Sequence, residues 1–240
     1  MTIRAVVWDV DDTIFDYASA DLAGMRDHLT AEGLVDGFDS VDQALRRWQE
    51  LTTLHWRRFE ARGGDYEEHR RERVRDFLGE PALPRAEVDA WLQRYVVHYE
   101  AAWTLFPDAV PVLDLLAEEY RHAVLSNASS RVQEPKLRAL GVRDRFEAVL
   151  CCVELGVAKP AAEAFHAACA ALGLLPAEVA YVGDHPDIDA RGAQDAGLTG
   201  VWLDRTGTGG RPELTRITDL HQLPGLLRGD TRFGAPDTFR

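Results

Sequence analysis

Five short apolar runs, rich in β-branched residues and widely spaced, constrain the fold more than any other feature: RAVVWD (4–9), HAVLSN (122–127), EAVLCCV (147–153), VAYVGD (179–184) and TGVWLD (199–204). Runs of this length bounded by polar residues read as buried strands. The segments PDAVPVLDLLAEEY (107–120), SRVQEPKLRALG (130–141), PAAEAFHAACAALG (160–173) and DIDARGAQDAG (187–197) instead carry helical spacing. Gly141, Gly173 and Gly197 stand where helix C-caps are expected. Strands alternating with helices predict an α/β, Rossmann-like core, a parallel sheet with helices on both faces. On such sheets ligands bind beyond the carboxyl ends of the strands. Asp9, Ser126 and Asp184 all fall at predicted strand ends.

The alternation stops between about residues 16 and 104. Leu45, Trp48, Thr52, Trp56 and Phe59, then Val88, Trp91, Leu92, Tyr95 and Tyr99, recur at helical spacing. The expected organisation is a core of residues 1–15 and 105–228, an all-helical insertion at 16–104, and a loose tail at 229–240. A chain of 240 residues buries roughly 70–75% of its unfolded surface, so it needs no disulfide or metal staple to fold.

Charge narrows the partners. Lys and Arg number 27 against 40 Asp and Glu, a net charge of −13. That excludes binding to nucleic-acid polymers or anionic membranes through a basic face. No apolar stretch approaches the ~18 residues that span a bilayer, and acidic residues arrive too early for a secretory signal. Cys151, Cys152 and Cys169 lack metal spacing and fit a reducing, cytoplasmic setting. A small anionic substrate is still allowed, because a bound cation and one lysine can dominate locally.

The first strand runs straight into Asp9, Asp11 and Asp12 with no basic residue among them. A fold does not require carboxylates so close together, so the run is either a solvated turn or a binding site. Three further elements follow in order: LSN (125–127), AKP (158–160) and GDHPDID (183–189). Together with DVDDT (9–13) they resemble the motifs of the haloacid dehalogenase superfamily, specifically its phosphatases with a helical cap inserted after the first motif. The resemblance runs from Ile3 to about Arg205.

The resemblance implies a Mg2+-dependent phosphomonoesterase. Asp9 would be the nucleophile and form an aspartyl-phosphate, and Asp11 the general acid and base. Mg2+ would be held by Asp9, the backbone carbonyl of Asp11, and Asp184. Ser126 would donate to a phosphoryl oxygen, with backbone N–H groups near Asn127 assisting, and Lys159 would offset the transferring charge. Thr13 would hold the motif loop, Asp189 would orient Lys159 or metal-bound water, and Pro160 would open the next helix. Trp8 stands where many members have Phe, Asp12 where many have Gly, and His185 where Ser is usual, making His185 a candidate substrate contact.

Phe15 and Tyr17 follow the motif and are candidate gates. In the insertion, Arg58, Arg62, Tyr66, His69, Arg70 and Arg71 surround Gly63-Gly64 and could contact substrate. Glu67, Glu68 and Glu72 make a solvated, ion-paired helix face the simpler reading of this segment. Trp48, Trp56 and Trp91 read as core of the insertion. The expected substrate is a small phosphate ester such as a nucleotide, flavin mononucleotide or sugar phosphate, acted on by a monomer or homodimer. A sugar phosphomutase and a 2-haloacid dehalogenase are the alternatives on the same scaffold. Halide leaves without protonation, so the latter chemistry has no use for Asp11 or a metal-binding Asp184.

Overall fold

A computed structural model describes residues 2–62 and 65–229. The chain divides into two compact units, Met1–Asp16 with Thr104–Arg240, and Tyr17–Trp103. In chain order, β1 (Ala5–Trp8) is followed by the helices α1 (Tyr17–Ala31), α2 (Val41–Arg62), α3 (Tyr66–Leu78) and α4 (Arg85–Ala101). The first unit resumes with α5 (Ala109–Leu116), β2 (Arg121–Ser126), α6 (Ser130–Ala139), β3 (Ala148–Cys151) and α7, one turn at Cys152–Leu155. It continues through α8 (Ala162–Leu172), β4 (Val179–Gly183), a widened helical turn (Pro186–Arg191), α9 (Gly192–Asp195), β5 (Thr199–Leu203), β6 (Thr215–Ile217) and α10 (Leu223–Leu227). The expected tail at 230–240 and the Gly63-Gly64 break lie outside the described residues.

The strands form one parallel sheet in the order β3-β2-β1-β4-β5-β6. Its centre is apolar on both faces, with Ala5, Val6, Val7, Trp8, Val124, Leu125 and Val182 wholly buried, as a sheet covered by helices on both sides requires. Trp8 pairs in register with Val124 and with Val182, so the carboxyl ends of β1, β2 and β4 open at one edge. Trp8 has a partner that phenylalanine would lack. Its indole N–H donates to His122 Nδ1 at 3.0 Å, and burial lowers the His122 pKa to about 4, keeping that nitrogen free to accept. The expected helix caps are present, with Gly141, Gly173 and Gly197 at φ of 70°, 63° and 87°.

The end of β5 carries a buried anion. Asp204 accepts from the N–H groups of Thr208 and Gly209, the hydroxyls of Thr206 and Thr208, and Arg216 Nε on β6. Burial opposes its ionisation, but these donors outweigh it and lower the pKa from 3.8 to about 2. A depressed carboxyl contributes stability that is present above its unfolded pKa and is lost as pH falls through its folded one. The shift corresponds to roughly 2 kcal/mol. Asp204→Asn is expected to lower stability by about that amount near pH 6, and the deficit should shrink as pH falls toward about 2. Urea unfolding midpoints of both proteins across that range test this; a pH-independent gap would contradict it.

The unit Tyr17–Trp103 has its own core: Met25, Leu29, Trp48, Val74, Phe77, Val88, Trp91 and Tyr95 are buried. Trp48 and Trp91 are therefore core residues, while Trp56 is half-buried against Phe59 and His69. Helices α1 and α4 touch closely, since a Cβ on Gly24 would lie 2.5 Å from Tyr99 Cα. Asp21 is a buried acceptor here, receiving Trp48 Nε1 at 2.8 Å and the Tyr95 hydroxyl at 2.6 Å.

Candidate active site

The loop after β1 is wound tightly. Asp9 N–H donates to Val182 O at 2.9 Å, and the N–H groups of Thr13, Ile14 and Phe15 all converge on Val10 O. That turn forces Asp12 to φ +58°, a conformation Asp tolerates better than most residues and glycine adopts freely. Thr13 is buried, and its hydroxyl donates to Asp9 Oδ2 at 3.2 Å.

Lys159 is the central cation. Its Nζ lies 2.7 Å from Asp9 Oδ1, from Asp189 Oδ1 and from the Tyr181 hydroxyl. Burial alone would lower its pKa, but Asp189 and Asp9 reverse that and keep it charged. Asn127 holds the lysine's backbone from both sides, receiving Lys159 N–H on Oδ1 at 2.9 Å and donating from Nδ2 to Lys159 O at 3.2 Å. Pro160 departs from expectation: it lies in a turn joined by a cis peptide bond to Lys159, and α8 begins only at Ala162.

Asp184 lies beside this group. One carboxylate oxygen from each of Asp9, Asp184 and Asp189 can be chosen so that all lie within 4.8 Å of one another. Asp189 is engaged on both oxygens, Oδ1 by Lys159 and Oδ2 by His185 N–H at 3.0 Å, with the Tyr181 hydroxyl 3.3 Å from Oδ1. The Asp184 carboxylate has no hydrogen-bond donor among the described residues. Burial, then Asp189 and Asp9, push its pKa well above the carboxylate range. Asp9 is raised by burial and by Asp189 and Asp11, against the lowering effect of Lys159. Three carboxylates facing one ammonium leave uncompensated negative charge on hard oxygen donors, which suits a divalent cation such as Mg2+.

Asp11 is held separately. Its Oδ1 accepts Lys136 Nζ at 2.5 Å and its Oδ2 accepts Gln133 Nε2 at 2.7 Å, both from α6. The Gln133 amide also donates to Ser126 Oγ at 3.0 Å, and Ala128 N–H donates there at 3.2 Å. With two donors already on its oxygen, Ser126 keeps its own hydrogen to donate elsewhere. Gln133, Lys136 and Tyr181 were not singled out by the sequence. The available signal was the helical spacing of Gln133, Lys136 and Leu137, three buried positions on one face of α6.

The other candidates have the following surroundings. Phe15 is fully buried, with its ring 4.3 Å from Lys136 Nζ. His185 caps the turn that follows it, its Nδ1 accepting Asp187 and Ile188 N–H at 3.2 Å. Tyr17, in the helical unit, lies 3.4 Å from Asp21 through its hydroxyl, and burial raises its pKa. Arg58 is exposed, 3.9 Å from Asp76. Arg70 pairs with Glu67, and Arg71 with Glu68 and Asp89. The Arg62 side chain lies outside the described residues.

Acidic groups, a buried lysine and a serine thus meet at the strand ends of a parallel α/β sheet. The chain belongs to the haloacid dehalogenase-like hydrolases, whose family model matches residues 3–197. It is 35% identical over 166 residues to the phosphoserine phosphatase of Thermus thermophilus, covering 68% of this chain and 60% of that relative. It is 27% identical to the N-acylneuraminate-9-phosphatase of Rattus norvegicus over 94% of both chains. The magnesium-bound HAD-hydrolase YfnB of Bacillus subtilis has the same fold, with a TM-score of 0.79 and 23% identity over 95% of this chain and 99% of that one. No helix among the described residues is long and apolar enough to cross a membrane.

Proposed function

We propose that this protein is a Mg2+-dependent phosphomonoesterase that hydrolyses a small phosphorylated metabolite. The carrying observation is that the two loop carboxylates have different partners. Asp9 faces Lys159 and Asp184, whereas Asp11 is engaged by α6 and joined to Ser126 through one amide. That difference supports Asp9 as the attacking carboxylate and Asp11 as the group that transfers protons.

An Asp9 oxygen attacks phosphorus as the bond from phosphorus to the ester oxygen breaks, and Asp11 gives that oxygen its proton. Asp11 then takes a proton from water, whose oxygen attacks the aspartyl-phosphate. The acyl phosphate P–O bond breaks, releasing inorganic phosphate and restoring Asp9. Ser126 donates to a phosphoryl oxygen, and Lys159 offsets its charge. Asp9, Asp184 and the Asp11 carbonyl would hold Mg2+, which supplies additional positive charge at the transferring group when bound.

The substrate class rests on the named relatives, which act on phosphoserine and on a 9-phosphorylated acylneuraminate. Dehalogenation would leave Asp11 and Asp184 without work, because halide departs unprotonated and needs no metal. A mutase would return the phosphoryl group instead of releasing it.

The test is phosphate release from a panel of nucleotide, flavin, sugar, serine and glycolate monoesters, with Asp9→Asn as blank. Activity should disappear in EDTA and return with Mg2+, and Mg2+ should raise the melting temperature. Release undiminished by EDTA would overturn the metal assignment. Bound Mg2+ with no release from any ester would favour the mutase.

A further inference from the structure

Gln133 and Lys136 have no place in the reaction as described, yet both are among the most deeply buried polar residues of the chain, 0% and 1% exposed. Burying an ammonium is costly, and an ion pair kept only for stability is often matched by apolar residues of the same size. Lys136 is nevertheless directed at a carboxylate that is itself 32% exposed. Gln133 leaves its Oε1 buried without a partner in order to present Nε2 to Asp11 and Ser126. A flipped amide would set Oε1 against the Asp11 carboxylate, so the orientation is fixed.

We propose that Gln133 and Lys136 are positioning residues that fix the Asp11 carboxyl group for proton transfer to the leaving oxygen. This rests on the phosphomonoesterase reading and on Asp11 as its acid and base. The geometry is specific. Gln133 and Lys136 are spaced i, i+3 on α6 and so share a face, and each takes a different oxygen of Asp11, removing rotation about its last torsion. Lys136 is held from behind by the Phe15 ring at 4.3 Å. The helix is held at its start by Ser129 and Ser130, whose hydroxyls both donate to Glu154 Oε1 at 2.8 Å. The same amide donates to Ser126 Oγ, which Ala128 N–H also holds, so Ser126 keeps a donor when Gln133 is replaced. A misplacement of about 1 Å can cost about 10²-fold in rate.

Leaving-group dependence tests this, because an acid matters for an alkyl phosphate and little for 2,4-dinitrophenyl phosphate, whose phenolate leaves unprotonated. Values of kcat/KM report the first phosphoryl transfer alone. Asp11→Asn is expected to lower kcat/KM for an alkyl ester by about 10²–10⁴-fold and to spare the dinitrophenyl ester. Lys136→Met and Gln133→Met, which keep the side-chain volume, should share that signature, losing about 10–100-fold on the alkyl ester and less than about threefold on the activated one. Added to Asp11→Asn, either change should cost nothing further on the alkyl ester.

Equal losses on both esters, or losses additive with Asp11→Asn, would overturn the positioning role and leave an ordinary structural pair. If Asp11→Asn itself shows no leaving-group dependence, the acid assignment fails, and this inference with it. A selective loss in Asp11→Asn that neither α6 variant reproduces would defeat this inference alone. Should Lys136→Met melt far below the wild type, Gln133→Met carries the test, since it leaves every charge in place.

Discussion

Lys159→Met is expected to remove turnover and to destabilise the sheet-bearing unit by roughly 3–5 kcal/mol, the usual cost of breaking a buried ion pair from one side. The ammonium sits 2.7 Å from both Asp9 and Asp189, and the lysine side chain is 3% exposed. Without it, Asp9, Asp184 and Asp189 face one another with no cation paired to them among the described residues. Loss of a charge-stabilising donor also costs about 10²–10³-fold in rate. The two effects separate in the double variant. Lys159→Met with Asp189→Asn removes one carboxylate together with its cation, so much of the stability should return while turnover stays absent. Urea unfolding and phosphate release on the wild type and both variants would show this. A Lys159→Met protein as stable as wild type would mean that the carboxylates do not need the ammonium to be buried together.

Much of this arrangement is legible in the sequence, and the residues that are not share a physical reason. Strand ends can be read because a buried parallel strand is a short apolar run that stops abruptly; β1, β2, β4 and β5 announce themselves that way. β6 does not, being the three residues Thr215–Ile217 at the sheet's edge. The 187–197 pattern reads as one helix, but the chain makes a widened turn and then a single further turn. His185 reads as a site residue because of its company, whereas its ring serves the backbone immediately after it. Gln133 and Lys136 are the instructive omissions. Helical periodicity sorts residues into apolar and polar faces, so a lysine and a glutamine on α6 are assigned to water by default. Only the three-dimensional position of Asp11, more than 120 residues earlier, gives that face a reason to carry them. Tyr181 is hidden by the opposite effect, an apolar-looking strand residue whose hydroxyl accepts from Lys159 and donates to Leu125 O.

Gly183→Ala is the smallest substitution expected to disable the site. A Cβ there would lie 2.4 Å from Asp189 Cγ and Oδ2 and 2.6 Å from its Cβ, well inside contact distance. Asp189 cannot give way easily, because Lys159 holds its Oδ1 and the His185 N–H its Oδ2. The glycine before Asp184 is therefore demanded by close approach of a side chain and not by backbone conformation. Overpacking of this kind costs about 1–3 kcal/mol. Against a typical total stability of 5–15 kcal/mol, the variant should remain folded at room temperature. Its turnover should nevertheless fall by at least about tenfold, because Asp189 can move only by pulling away from Lys159. Gly37→Ala is the matched control, since nothing lies within 4 Å of its added Cβ. Asp189→Gly in the Gly183→Ala background should cost less stability than the two changes summed, because the Cβ, Cγ and Oδ2 that the new methyl meets are then all gone. Wild-type turnover from a folded but destabilised Gly183→Ala protein would mean that Asp189 moves without consequence, and that Asp9 and Tyr181 suffice to hold Lys159.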